Sequence, residues 1–375
     1  MATVKEKKPF KNLKKKEDDK ENKKIQISKI NEIIDSCKDD WEIARLKKCD
    51  REKRQEAIGK IFAKIKGNVA AMLKKRTGSR LLQTIFKFTD EKTKDEIFNE
   101  IKSEITMLAN CSFGIFFLQK LLKTKYFFEI VDVLAKNHKK LIADRVGAFF
   151  LDEVYQTLKK GPQKDFLKRL MGNKAQVFYS KTKLMDIPPK EFDFESIIRK
   201  MLDKGLTNLT IGHDLINLHI SHFEKEEDKK IYVKGLLEFF VDFLHTINGR
   251  KIVNMILEDK TNLKSVIKQV GDHLTSLISS EDSRTVLFSI IEKSEAEEDE
   301  KLKETLVKDV TKYIFKPIKE NIETFLNTEN FDLFVVKLIE LKKFEYLQSK
   351  FIKEIQKKDS DYSESLQKLA ADLQK

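Results

Sequence analysis

Apolar residues recur at helical spacing along almost the whole chain after about residue 39. Ile97, Ile101, Ile105 and Leu108 follow one another at intervals of four, four and three residues, and Leu118, Leu121 and Leu122 keep to the same face. That is the stripe one side of an amphipathic helix requires. No run alternates apolar and polar residues as a half-buried strand would. Only 5 Pro and 12 Gly interrupt the chain, so helices have few places where they must break. The pattern predicts an all-α protein of short amphipathic helices, either a large bundle or a stack of repeats, and a fixed period separates the two.

A period is present. Gly78-Ser79-Arg80-Leu81-Leu82-Gln83 is followed 36 residues later by Gly114-Ile115-Phe116-Phe117-Leu118-Gln119, and 33 later again by Gly147-Ala148-Phe149-Phe150-Leu151-Asp152. Gly212-His213-Asp214-Leu215-Ile216-Asn217 lies 65 residues further on, close to two periods, and Gly249-Arg250-Lys251-Ile252-Val253-Asn254 comes 37 after that. Asp282-Ser283-Arg284-Thr285-Val286-Leu287 and Asn330-Phe331-Asp332-Leu333-Phe334-Val335 read as weaker copies, the last displaced by an acidic insert from Glu292 to Glu300. Counting from the residue after the small one, positions three and four are apolar and predicted to face the core. Positions one, two and five vary and are predicted to share the outward side, one and five being a full turn apart. Any stacked array would explain the glycine and the apolar pair. It would not explain Ser79, Arg80 and Gln83, all able to hydrogen-bond or stack a base, beside Lys74, Lys75 and Arg76.

Charge adds a direction to this array. The 375 residues hold 74 Lys and Arg against 61 Asp and Glu, a net charge of +13. Residues 1–180 hold 42 basic against 25 acidic residues, and residues 181–375 hold 32 against 36. A Lys- and Glu-rich composition alone would raise both signs everywhere, so the surplus in one half points to a polyanionic partner, whose phosphates cations neutralise with release of counterions. No stretch approaches the roughly 18 apolar residues of a spanning helix, and the lysine-rich start lacks a signal-peptide core, so a soluble, unsecreted chain is expected. Cys37, Cys49 and Cys111 are too scattered for a disulfide framework or a paired metal motif. Residues 1–24, with ten Lys and five acidic residues, are expected to form a disordered basic tail, serving nuclear import, non-specific RNA contact or solubility alike. A basic repeat arm over 25–180, a second repeat arm over 181–355 and a helical or flexible tail over 356–375 complete the expected organisation.

Gly78-Ser79-Arg80-Leu81-Leu82-Gln83 resembles the base-reading helix of a Pumilio (Puf) repeat, in which positions one and five hydrogen-bond a base edge and position two stacks between bases. Trp41-Glu42 with Arg45, then Lys47-Lys48-Cys49-Asp50-Arg51-Glu52-Lys53-Arg54, resembles the segment that opens the array in the Puf-A family, the divergent nucleolar Pumilio-like proteins with a CPL region. His245-Thr246-Ile247-Asn248-Gly249-Arg250 resembles that family's C-terminal-region motif and follows in the matching order. Together with the period, the resemblance covers roughly residues 39–340. It implies an α-solenoid of two arms in an L shape, located in the nucleus and nucleolus. It also implies binding of RNA, or DNA, with little base preference, and action in large-subunit ribosome biogenesis and pre-rRNA processing beside pre-60S proteins. Some members are translational regulators of mRNA. The chain ends soon after the Asn330 copy, so its end cap is expected to differ from that of longer members.

Only Ser79, Arg80 and Gln83 complete a reading triplet, one that suits adenine in ordinary Pumilio repeats. Ile115 and Ala148 at position one cannot read an edge, whereas Phe116 and Phe149 at position two can stack, unless burial between repeats claims them. A sequence code is therefore not expected. Lys74, Lys75, Arg76, Arg80 and Arg145 are expected to grip phosphates. Ser79, Gln83 and Gln119 are expected to meet bases, and Arg250, Lys251 and Asn254 to extend the surface into the second arm. That near-neutral arm, with its acidic insert, suits protein docking better. His213, His219 and His222 lack a cysteine or a well-spaced fourth ligand, so neither metal nor cofactor is expected. No GxxxxGK[ST], HExxH, GxSxG or GxGxxG occurs, and the reading is non-catalytic. The alternative is a HEAT- or armadillo-type scaffold whose partners are proteins.

Overall fold

The computed structural model describes Ile25, residues 27–170, 194–357 and 362–373. The tail expected over residues 1–24 lies outside this set. Every regular element among the described residues is helical, and no helix there is long and apolar enough to cross a membrane. The chain falls into two compact units, one ending at Leu158 and the other beginning at Lys159.

The first unit is built of helix pairs whose starts are written in the side chains. Asp50 accepts from the backbone N–H of Glu52 and Lys53 to open Arg51–Ile65, Asp90 from that of Thr93 to open Glu91–Ile101, and Asp144 from those of Val146 and Gly147 to open Arg145–Thr157. Each carboxylate satisfies donors that have no partner inside the helix. Positions three and four of the repeat go where the pattern sends them: Leu81, Leu82, Phe117, Leu118, Phe150 and Leu151 are all buried.

The repeat glycine has a reason beyond starting a helix. A Cβ would stand 2.3 Å from the Met72 carbonyl oxygen at Gly78, 2.6 Å from that of Leu108 at Gly114, and 2.1 Å from that of Phe243 at Gly249. In each case the oxygen belongs to the residue six positions earlier. The repeat helix rests its first turn directly on the end of the helix before it, a contact only a residue without a side chain allows.

Successive repeats are tied by side chains about one period apart. Trp41 Nε1 donates to Thr84 Oγ1 (3.0 Å), Ser79 Oγ to the Phe113 carbonyl (2.8 Å), and Gln119 Nε2 to both carboxylate oxygens of Glu153 (2.9 and 2.8 Å). Phe86 meets Phe117 edge to face across the same junction, with ring centroids 5.5 Å apart.

The second unit continues the helical pairs from Lys160–Leu170 to Glu364–Asp372, with a π-helical turn at Thr311–Phe315. One expectation is corrected here. In the weak copies the core pair is one residue later than the pattern suggested: Val286 and Leu287, then Phe334 and Val335, are buried, whereas Leu333 is exposed. Ser283 and Phe331 therefore stand where the glycine stands elsewhere. The acidic insert is anchored at several points. The buried Glu297 carboxylate accepts from Lys260 Nζ (3.0 Å) and from the backbone N–H of Glu298, Glu295 pairs with Lys343 (2.7 Å), and Asp299 caps Glu300–Val310.

Candidate nucleic-acid interface

On a helix, residues at i, i+4 and i+7 share a face. In Arg76–Phe88 this face carries Arg80, Thr84 and Lys87, with Arg76 one turn before. From Gly114–Leu121 onward it carries Phe116, Lys120 and Lys123. Arg80, Lys87 and Lys120 are exposed, and Phe116 and Phe149 are 50 % and 40 % exposed. Position two is thus the outward position of the first unit, and both phenylalanine rings are available at its surface. Arg145 lies over the Phe149 ring, 5.7 Å from its centroid.

Position one behaves otherwise. Ser79 is 1 % exposed, and Ala148 and His213 are fully buried. Ser79 Oγ donates to the Phe113 carbonyl and accepts from Gln83 Nε2 at 3.2 Å, so two members of the expected reading triplet are closed on each other. Gln119 is likewise held by Glu153. The expectation that Ser79 meets a base is corrected on this ground, whereas Gln83 is half-buried and lines a basic groove. In a stack a helix has a neighbour on its flank as well as beneath it, and position one lies on the flank facing the next repeat.

Beside the position-two stripe lies a groove of about 710 Å³. Arg45, Arg80, Lys87, Lys94, Lys120 and Lys123 line it together with Trp41, Phe86 and Phe88, and no carboxylate does. Arg45 pairs outside it with Glu42 (2.6 Å) and Lys94 with Glu91 (2.7 Å). Arg80, Lys87, Lys120 and Lys123 make no ion pair with a described residue. Arg45 sits over the Trp41 ring and Lys87 over that of Phe88. Six cations around Gln83, Thr84, Thr124 and the three aromatic rings form a local positive field suited to a chain of phosphates.

Of the other expected residues, Arg76 is exposed on the same stripe, Lys75 is half-buried, and Lys74 lines a different concavity. In the second unit Lys251 and Asn254 are exposed, but Arg250 pairs with Asp282 (3.0 Å). His213 places Nδ1 2.6 Å from Thr246 Oγ1 and Nε2 2.8 Å from the Thr207 carbonyl, and burial pushes its pKa down to about 4, so at neutral pH it is an uncharged, fully engaged core group. Among the described residues no cluster of His, Cys, Asp and Glu could hold a metal ion. Sequence reasoning missed Lys87, Lys94, Lys120 and Lys123 as groove residues. The signal was present for three of them, since Lys87, Lys120 and Lys123 lie four or seven residues after a position-two residue.

Human Puf-A superposes on this architecture with a TM-score of 0.68, at 15 % identity, over 92 % of this chain and 75 % of that one. The chain has a Puf-A-like Pumilio-repeat fold. A second human Puf-A structure, in complex with DNA, gives a TM-score of 0.66 over 92 % of this chain and 76 % of that one. No family model matches the sequence. Similar sequences include Pumilio homolog 24 of Arabidopsis thaliana, 22 % identical over 311 residues and covering 77 % of this chain and 46 % of that protein. Human Pumilio homolog 3 is 20 % identical over 295 residues, covering 74 % and 45 %. Pumilio homology domain family member 6 of Saccharomyces cerevisiae is 22 % identical over 277 residues, covering 69 % and 42 %. The chain spans less than half the length of these relatives.

Proposed function

We propose that the first unit binds RNA through the phosphate backbone with little base specificity, without catalysis, and that the protein serves large-subunit ribosome assembly and pre-rRNA processing beside pre-60S proteins in the nucleolus. The observation that carries the binding reading is the groove between Trp41 and Lys123, lined by six cations and no carboxylate. Position one is buried at Ser79, Ala148 and His213 and apolar at Ile115, which leaves no row of hydrogen-bonding groups at that position to read base edges. A solved protein of the same fold is a complex with DNA, which supports a grip indifferent to the sugar. The role in ribosome assembly is supported only by the resemblance carried by the Trp41 and His245 segments.

A filter-binding titration against single-stranded RNA over a range of salt tests the groove. Double replacement Lys120→Glu, Lys123→Glu is expected to weaken binding and to flatten the plot of log affinity against log salt by about 0.7 for each phosphate that the protein no longer neutralises. Unchanged affinity and slope would remove the groove from the interface, and no binding near physiological salt would favour a protein-docking scaffold. Crosslinking in cells tests the finer reading: recovery of large-subunit pre-rRNA is expected, whereas recovery of mRNA alone would favour a translational regulator.

A further inference from the structure

The first unit carries a second basic concavity, of about 990 Å³, that shares no residue with the groove. Lys74, Lys102 and Lys140 line it, one from each of three successive repeats, with the polar side chains of Asn110, Ser112 and Asn137 between them. No carboxylate lines it, in a chain with 61 of them. Lys102 is held by Glu129 (2.5 Å), but Lys74 and Lys140 are exposed and make no ion pair with a described residue.

The two concavities lie at opposite ends of the helix Gly114–Leu121. The residues just before it, Cys111, Ser112 and Phe113, line the second, while Lys120, Lys123 and Thr124 at its far end line the groove. At 1.5 Å per residue the body of that helix holds them about 10 Å apart. The deep, narrow major groove of an A-form helix does not admit a protein helix between its strands, so a single RNA duplex would reach both only across its wide, shallow minor groove.

We propose that the second concavity is a binding site for a second phosphate backbone, so that one molecule holds two separate single-stranded RNA segments at once, one at each end of the Gly114 helix. This rests on the groove reading above and extends it from binding to bridging. Two strands held about a helix length apart meet more often than strands free in solution, and the protein would therefore speed the pairing of complementary segments.

The stoichiometry of the full chain with a short, unpaired RNA oligonucleotide tests this by sedimentation, with energy transfer between two differently labelled, non-complementary oligonucleotides as the bridging readout. The unaltered chain is expected to bind two strands and to give transfer. Lys74→Glu, Lys140→Glu is expected to bind one strand, with the affinity of the first site unchanged within about twofold and with transfer abolished. Circular dichroism confirms that the variant keeps its helices. Two strands retained by that variant, or one strand at saturation of the unaltered chain, would overturn the bridging site. No strand bound at all would instead overturn the groove reading on which it rests. Inorganic phosphate that binds the second concavity while a second oligonucleotide does not would likewise reject bridging.

Discussion

At the scale of single residues, the same substitution has opposite effects at two glycines. Gly78→Ala pushes a methyl group against the Met72 carbonyl, a backbone atom that cannot swing aside. The expected loss is about 1–3 kcal/mol, as for other overpacked sites. Gly59, exposed within Arg51–Ile65, has nothing within 4 Å of a built Cβ. Gly59→Ala is expected to stabilise by about 0.5–1 kcal/mol, because alanine gives up less chain entropy in a helix. Denaturant titrations of both variants check the sign. His213 predicts a pH effect. Its pKa, lowered from 6.5 to about 4 by burial, means that the unfolded chain takes up the proton first as pH falls. The stabilisation is complete above about pH 6.5 and is lost progressively down to about pH 4, to a ceiling of about 3 kcal/mol. His213→Gln should flatten that part of the profile, and urea midpoints at pH 7 and pH 5 measure it.

At the scale of the element, each repeat helix is a three-sided object. One side packs on the core through positions three and four, position one is buried at Ser79, Ala148 and His213, and position two with its i+4 and i+7 partners faces out, joined in the Gly249 repeat by Asn254 of position five. The start of the Arg145–Thr157 helix depends on one carboxylate, that of Asp144, which accepts from Val146 N–H (2.9 Å) and Gly147 N–H (3.3 Å). Asp144→Ala is expected to cost about 1 kcal/mol. It should also speed amide exchange in the first turn of that helix, where Arg145 lies, without changing exchange in Arg76–Phe88. Equal exchange in both helices would show that the cap does not hold the turn. The outward stripe also has an end. Arg80 and Lys87, then Lys120 and Lys123, give way at the corresponding place in the third repeat to Glu153, which the neighbouring Gln119 already holds.

At the scale of the whole molecule, charge follows the division into units. Residues 1–158 hold 36 Lys and Arg against 24 Asp and Glu, and residues 159–375 hold 38 against 37. The position-two line of the second unit reads Asp214, Lys251, Thr285 and Leu333, with Arg250 neutralised by Asp282. A Lys251→Glu variant is therefore expected to leave RNA affinity and its salt slope unchanged, whereas Arg80→Glu should lower both. A comparable loss from Lys251→Glu in the same filter-binding assay would extend the interface into the second unit.

The all-helical class, the repeat and the core pair were legible in the sequence because periodicity is a local property: a residue's place on its own helix follows from its spacing alone. The positive bias of the first half was equally legible, since counting needs no coordinates. Spacing could not say which outward position is truly outward. Ser79 looks free on an isolated helix and is consumed by the next repeat, at Phe113, 34 residues on. It could not fix the phase of the Ser283 and Phe331 copies either, where no glycine marks the close approach. Nor could it gather Arg45, Arg80, Lys94 and Lys120 around one groove, because they come from different helices and meet only when the repeats stack. The sequence by itself determined what each helix is; the stack alone decided which of its sides remains to meet a partner, because burial against a neighbour joins residues that lie a full repeat apart.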